Sequence, residues 1–237
     1  MPFWWQPVEN LIRLVNMKKY SLYVILVFLL AATSFAAAQG MGMMGWGFRG
    51  EVMDGPWNYK PPGNPKSLTI TQVGDIVAKA LASEGNTDLQ LAEVMQFSNH
   101  FYAEVEEKST KIHAYELLIN KYTGDIFPEP GPNMMWNQKY GHMAGGMMGG
   151  GWGYGRQQNP AEMPVTPTQA RADAQAFLDA NYLGIKVEDN ADVFYGYYTL
   201  HVLKNGKTYG MLGVNGYTGL VWYHSWHGTF EKMTEMD

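Results

Sequence analysis

The sequence predicts an α+β protein built from two tandem small domains, each a helix packed on an antiparallel sheet, with Gly/Met-rich linkers. Three observations carry this. A capping box opens an apolar helical stripe twice, three β-type runs follow each helix, and each set closes on the same Asn-x-Tyr-Thr-Gly turn. The helix starts, Thr69 and Thr166, lie 97 positions apart and the closing threonines, Thr123 and Thr218, lie 95 apart, so one unit is written twice.

The first helix opens on Thr69-Ile70-Thr71-Gln72, where a Thr hydroxyl accepts from the third helical amide and a Gln reaches back. Ile70, Val73, Ile76, Val77, Ala80 and Leu81 then define one face, and Gly85-Asn86 ends it. The second opens on Thr166-Pro167-Thr168-Gln169, with Pro at the first helical position, where its missing N–H costs nothing. Its stripe is Ala170, Ala174, Phe177 and Leu178. Strands are expected at residues 91–97, 101–107 and 112–120, and again at 187–194, 197–203 and 208–215. Asn205-Gly206 marks a tight hairpin. Alternation places Glu104 and Glu106 on one face of their strand, read as the solvated one. The aromatic residues Phe101, Tyr102, Tyr115, Tyr195, Tyr197, Tyr198, Trp222 and Tyr223 exceed what one face of a small sheet needs. Some of them must form an inter-domain or partner surface.

The boundaries follow. Residues 1–38 are a signal-peptide region in which Met17 suits a start, residues 1–16 being either an over-extended gene start or an extended n-region, and residues 39–66 form a Gly/Met/Pro-rich leader. Residues 67–132 are the first domain, 133–164 a Gly/Met/Trp-rich linker, and 165–237 the second domain. Lys18-Lys19, the apolar run after Tyr20 and the small residues Ala36 and Ala38 are the three parts of a secretory signal, with cleavage after Ala38 or Ala36. Residues 20–38 carry no charge and are also just long enough to span a bilayer as an uncut anchor. Either way the folded part is exported, to the periplasm or beyond, and the membrane is a partner only through an uncleaved segment.

Removing residues 1–38 takes Arg13, Lys18, Lys19 and Glu9 from the 17 basic and 22 acidic residues and leaves a net charge of −7, a poor match to nucleic acid. Cysteine is absent, which excludes disulfides, thiolate metal sites and thiol catalysis. There is no nucleophile elbow, phosphate-cradling loop or dinucleotide fingerprint, so no enzyme is expected.

Two sets of residues could bind metal. Met43, Met44, Met134, Met135, His142, Met143, Met147 and Met148 in the two leaders offer soft thioethers suited to Cu(I) or Ag(I). The same composition also fits a low-complexity linker whose Met and Trp adhere to an apolar surface. His224 and His227, three apart after the last expected strand, could share an ion if the backbone turns there, and polar surface is the other reading.

Phe101–Val105, Ala114–Asn120 and Thr123-Gly124-Asp125-Ile126 in the first copy resemble the PepSY family. So do Tyr197–Val202, Asn205-Gly206-Lys207 and Thr218-Gly219-Leu220-Val221 in the second. The resemblance covers roughly half the chain and implies a helix on an antiparallel sheet. The family occurs in propeptides of thermolysin-like metallopeptidases, which it inhibits or helps to fold, and in free-standing exported proteins. None of the six histidines here is followed by Glu, so His-Glu-x-x-His is missing and no peptidase is present. The expected role is a binding module docking to a cell-envelope protein or peptide. Alternatives are a Cu(I)/Ag(I) metallochaperone or resistance protein and, implied by the family, a peptidase inhibitor acting in trans.

Overall fold

A computed structural model describes residues 55–141 and 162–236, which lie within one unit of the chain. The expected signal region, most of the first leader and the Gly/Met-rich part of the second lie outside the described residues. Helix α1 (Ile70–Glu84) begins on the expected box: the Gln72 amide donates to Thr69 Oγ1 at 3.2 Å and the Thr69 amide to Gln72 Oε1 at 2.9 Å. A one-turn helix, α2 (Pro132–Met135), spans the boundary expected between the first domain and the linker. Helix α3 (Pro167–Asn181) is capped by Thr166, which accepts from the Gln169 amide.

Helix α1 lays Val73, Val77 and Leu81 on a five-stranded antiparallel sheet. Its strands are β1 (Leu89–Phe97), β2 (His100–Glu107), β3 (His113–Asn120) and β4 (Ile126–Pro128), with β10 (Phe230–Glu235) on the outer edge of β1. Helix α3 lays Ala170, Ala174 and Leu178 on a second sheet of β5 (Ile185–Val187), β7 (Tyr197–Lys204), β8 (Lys207–Asn215) and β9 (Val221–Tyr223), with β6 (Asp192–Val193) also on β7. Met95, Phe97, Tyr102, Leu118, Met211 and Trp226 form a third buried cluster that joins the inner faces of the two sheets. The layers therefore run helix, sheet, sheet, helix. Among the described residues no helix is long and apolar enough to cross a membrane.

The shared Asn-x-Tyr-Thr-Gly ending is a turn with a local mechanism. Asn120 Oδ1 accepts from the amides of Tyr122 and Thr123 at 2.8 and 3.0 Å, and Asn215 Oδ1 accepts from Tyr217 and Thr218 at 2.9 and 3.0 Å. Gly124 and Gly219 follow at φ +76° and +70°, where a side chain would be strained. Asn205 and Gly206, both at positive φ, make the expected tight hairpin.

Two elements differ from expectation. The run at residues 187–194 is not one strand; it breaks into β5 and β6 around Asp189-Asn190, residues whose side chains favour turns over a ladder. The segment after Gly228, expected within the second domain, crosses to the first sheet instead. There Val94 pairs with Thr234 and Met95 with Met233, so the edge of β1 is covered.

Candidate functional site

Directly opposed residues on antiparallel strands share a face. Glu235 on β10 faces Glu93 on β1, Glu93 faces Glu104 on β2, and Glu104 faces Glu116 on β3. Glu129, just past β4, continues the row, its amide donating to the Glu116 carbonyl at 3.0 Å. Five glutamates thus cross the first sheet in one line, and all but Glu235 are buried against the second sheet. This corrects the solvated-face reading for Glu104; Glu106, nearer the end of the strand, is half-buried and pairs with the exposed Lys111. Alternation says which residues share a face, but the packing of sheet on sheet decides that this face is interior. Like charges placed side by side repel, so each buried member needs an answering group.

Imidazoles answer two of them, one from the second sheet and one from the neighbouring strand of the first. His201 on β7 reaches Glu93 at 3.6 Å through Nε2 and Glu188 at 2.8 Å through Nδ1. His113 on β3 reaches Glu104 at 2.8 Å through Nδ1 and Asp192 at 3.7 Å through Nε2. Burial opposes the His113 charge, but Glu104, then Asp192 and Glu106, outweigh it and lift this imidazole to about 9. His201 is likewise held well above the ordinary range, Glu188 and Glu93 overcoming burial.

Glu116 has hydroxyls rather than an imidazole around it. Tyr197 and Thr199 donate to its two oxygens at 2.8 and 2.9 Å. Burial, reinforced by Glu129 and Glu104, raises its carboxyl well above the usual carboxylate range. The Tyr102 hydroxyl lies 2.5 Å from Glu104 and 2.8 Å from Glu116, and has one proton to give. A neutral Glu116 beside an ionised Glu104 fits that count.

The Glu129 end is built differently. Asn133 on α2 holds the strand there, donating to the carbonyls of Glu116 and Glu129 and accepting from the Glu116 amide. Opposite, the turn at residues 224–228 is tied to the β1–β2 connection: Asn99 donates to the Trp226 carbonyl at 3.0 Å and accepts from the Gly228 amide at 2.8 Å. Both histidines of His224-Ser225-Trp226-His227 are thereby turned inward. His224 stacks on Trp226, with ring centroids 4.7 Å apart, and His227 on Phe97 at 4.3 Å. His224 Nδ1 lies 3.5 Å and His227 Nε2 3.0 Å from Glu129 Oε1, which also accepts from the Trp226 indole at 2.9 Å. Glu129 Oε2, both nitrogens of His224 and Nε2 of His227 are buried without a hydrogen bond; the 3.0 Å approach is off the line one would need. Burial raises the Glu129 carboxyl, but His224 and His227 outweigh it and hold it below the usual range. Burial also keeps His227 and, more strongly, His100 below the ordinary imidazole range.

Of the residues singled out from sequence, His224 and His227 come together. Glu129, their third partner, was missed. Its one signal is its place between Pro128 and Pro130, which stiffens the chain around a lone carboxylate. Met134 and Met135 lie on α2, Met134 half-buried and Met135 exposed. Met43, Met44, His142, Met143, Met147 and Met148 lie outside the described residues.

No family model and no curated protein matches the chain. Among solved structures it is similar to the Bacillus megaterium YpeB C-terminal domain, with 9% identity and a TM-score of 0.22, over 68% of this chain and 65% of that one. So dilute a similarity fixes neither fold nor function.

Proposed function

We propose that this is an exported, non-catalytic binding protein with PepSY-like domains, which docks onto a cell-envelope protein or peptide. The supporting observation is where its chemistry lies. Apart from Glu235, the carboxylate row and its imidazoles are buried against the second half of the fold, whereas large apolar side chains face solvent around β9 and α2. Leu220 is 60% exposed just before the edge strand β9, and Trp222 on that strand is 37% exposed and meets Trp136 edge-on at 5.8 Å; Met135, next to Trp136 in the chain, is 56% exposed. Exposed Trp and Met around a short edge strand suit recognition of an apolar or extended partner. Replacing Trp222 and Leu220 by Ala is expected to weaken crosslinking to the envelope partner by about tenfold or more, with thermal stability almost unchanged. Undiminished crosslinking by the double variant would end the reading.

A second reading, a Cu(I)/Ag(I) carrier, is favoured by the exposed thioether of Met135 where the chain runs into the Met-rich linker. Cu(I) titration against a competing chelator is expected to lose its tight phase when the leader methionines become Leu. An unchanged titration would remove the reading.

A further inference from the structure

We propose that Glu129, His224 and His227 form a binding site for one divalent metal ion of borderline softness, Zn(II) by class, distinct from any thioether site in the leaders. Two imidazoles and a carboxylate are a donor set that such an ion takes readily, and they lack the sulfur that would favour Cu(I). Their spacing fits a shared ion. Donors about 2.0–2.1 Å from zinc in a tetrahedral shell lie roughly 3.3 Å from one another, against 3.0 and 3.5 Å here. The imidazole nitrogens they would use are left without hydrogen bonds inside the protein, and Glu129 Oε1 keeps a second lone pair beside the one that accepts from the Trp226 indole.

The surroundings prepare these donors. Asn58 Oδ1 lies 3.1 Å from His100 Nδ1, and His100 Nε2 lies 2.8 Å from His227 Nδ1. With the proton of His100 on Nδ1, its Nε2 accepts from Nδ1–H of His227, and Nε2 of His227 is left bare toward Glu129. That is the tautomer a metal ligand needs, fixed by outer partners. The Trp226 indole steadies Glu129 through Oε1 and leaves Oε2 unpaired. The cluster of Glu104, His113 and Asp192 contrasts with it. There the two ring nitrogens address different carboxylates, as an imidazolium bridging two anions would, so the same ligand logic does not extend to it. Because Glu129 belongs to the first copy of the unit and the histidines to the second, an ion here would join the two.

The test uses the full chain, stripped by a chelator and titrated with Co(II) and then Zn(II). One Co(II) with a visible d–d spectrum is expected, displaced by one Zn(II). Glu129→Gln, His224→Gln and His227→Gln should each weaken Zn(II) binding by about 100-fold or more. His100→Gln should weaken it by about 10–100-fold with the Co(II) spectrum kept, as befits an outer partner. Hydrogen exchange on the unsubstituted protein covers the case in which a variant fails to fold: Zn(II) should slow exchange around Glu129 and residues 224–228. Absence of that protection would overturn the site. So would a Co(II) spectrum that survives in the His224→Gln/His227→Gln double variant.

Discussion

Replacing Trp226 by Ala is expected to lower the unfolding free energy by about 4 kcal/mol, the range found when a large aromatic is removed from a core. Trp226 is 1% exposed and, among the described residues, the largest of the fully buried side chains, and it belongs to the cluster that holds the two sheets together. Its loss leaves a cavity bounded by Met95, Phe97, Tyr102, Leu118 and Met211. It also removes the hydrogen bond that the Trp226 indole donates to the buried Glu129. Against a total of about 5–15 kcal/mol for an ordinary domain, the change is large. Trp226→Phe keeps most of the volume and drops the donor, so a smaller loss of roughly 1–3 kcal/mol is expected. Urea titration followed by circular dichroism measures both. A Trp226→Ala variant with an unchanged midpoint would mean that the sheets do not depend on this contact.

The second large effect is a fall in stability as pH rises. His113 is lifted from an ordinary 6.5 to about 9 in the folded protein. A base with a raised folded pKa contributes stability that is complete below the unfolded value and is lost as pH climbs through the folded one. Its share, roughly 3 kcal/mol for a shift of this size, should disappear between pH 6.5 and 9. Asp192, lifted by burial and by Glu104 to about 7, adds a loss of the same sign at lower pH. His201 adds another above its ordinary value. In urea unfolding across pH 6–9.5, His113→Gln should therefore flatten the decline without abolishing it. A variant whose slope matches the unsubstituted protein would show that His113 carries no such charge in the fold.

The parts of this structure that could be read from residues alone are those with local causes. Thr69 and Thr166 announce their helices because a hydroxyl satisfies an amide three residues away. Asn120 and Asn215 announce their turns in the same way. Strand-length runs with proper alternation also appear where expected, with the break around Asp189 and Asn190 as the exception. What escaped is non-local. Nothing near Glu104 says that a second sheet will cover it, and nothing near Phe230 says that its strand will pair with β1. The surplus of aromatics did point to a contact surface, and Tyr102 and Tyr197 lie on it, both within hydrogen-bond reach of Glu116. The pairing of His224 and His227 was legible as spacing; their partner Glu129 lies 95 positions before His224 and is brought in by the meeting of the two copies.

The crossing of β10 onto β1 has a kinetic side. Glu93 pairs with Glu235, 142 positions later. As the chain is synthesised from its N-terminus, α1 and β1–β4 can assemble while the flank of β1 stays open, a row of unsatisfied amides and carbonyls ready for any extended segment. Such a distant contact also makes the finishing step of folding slow. The first copy is thus completed by the second: until the far strand arrives, it is a sheet waiting for a strand that another polypeptide could supply.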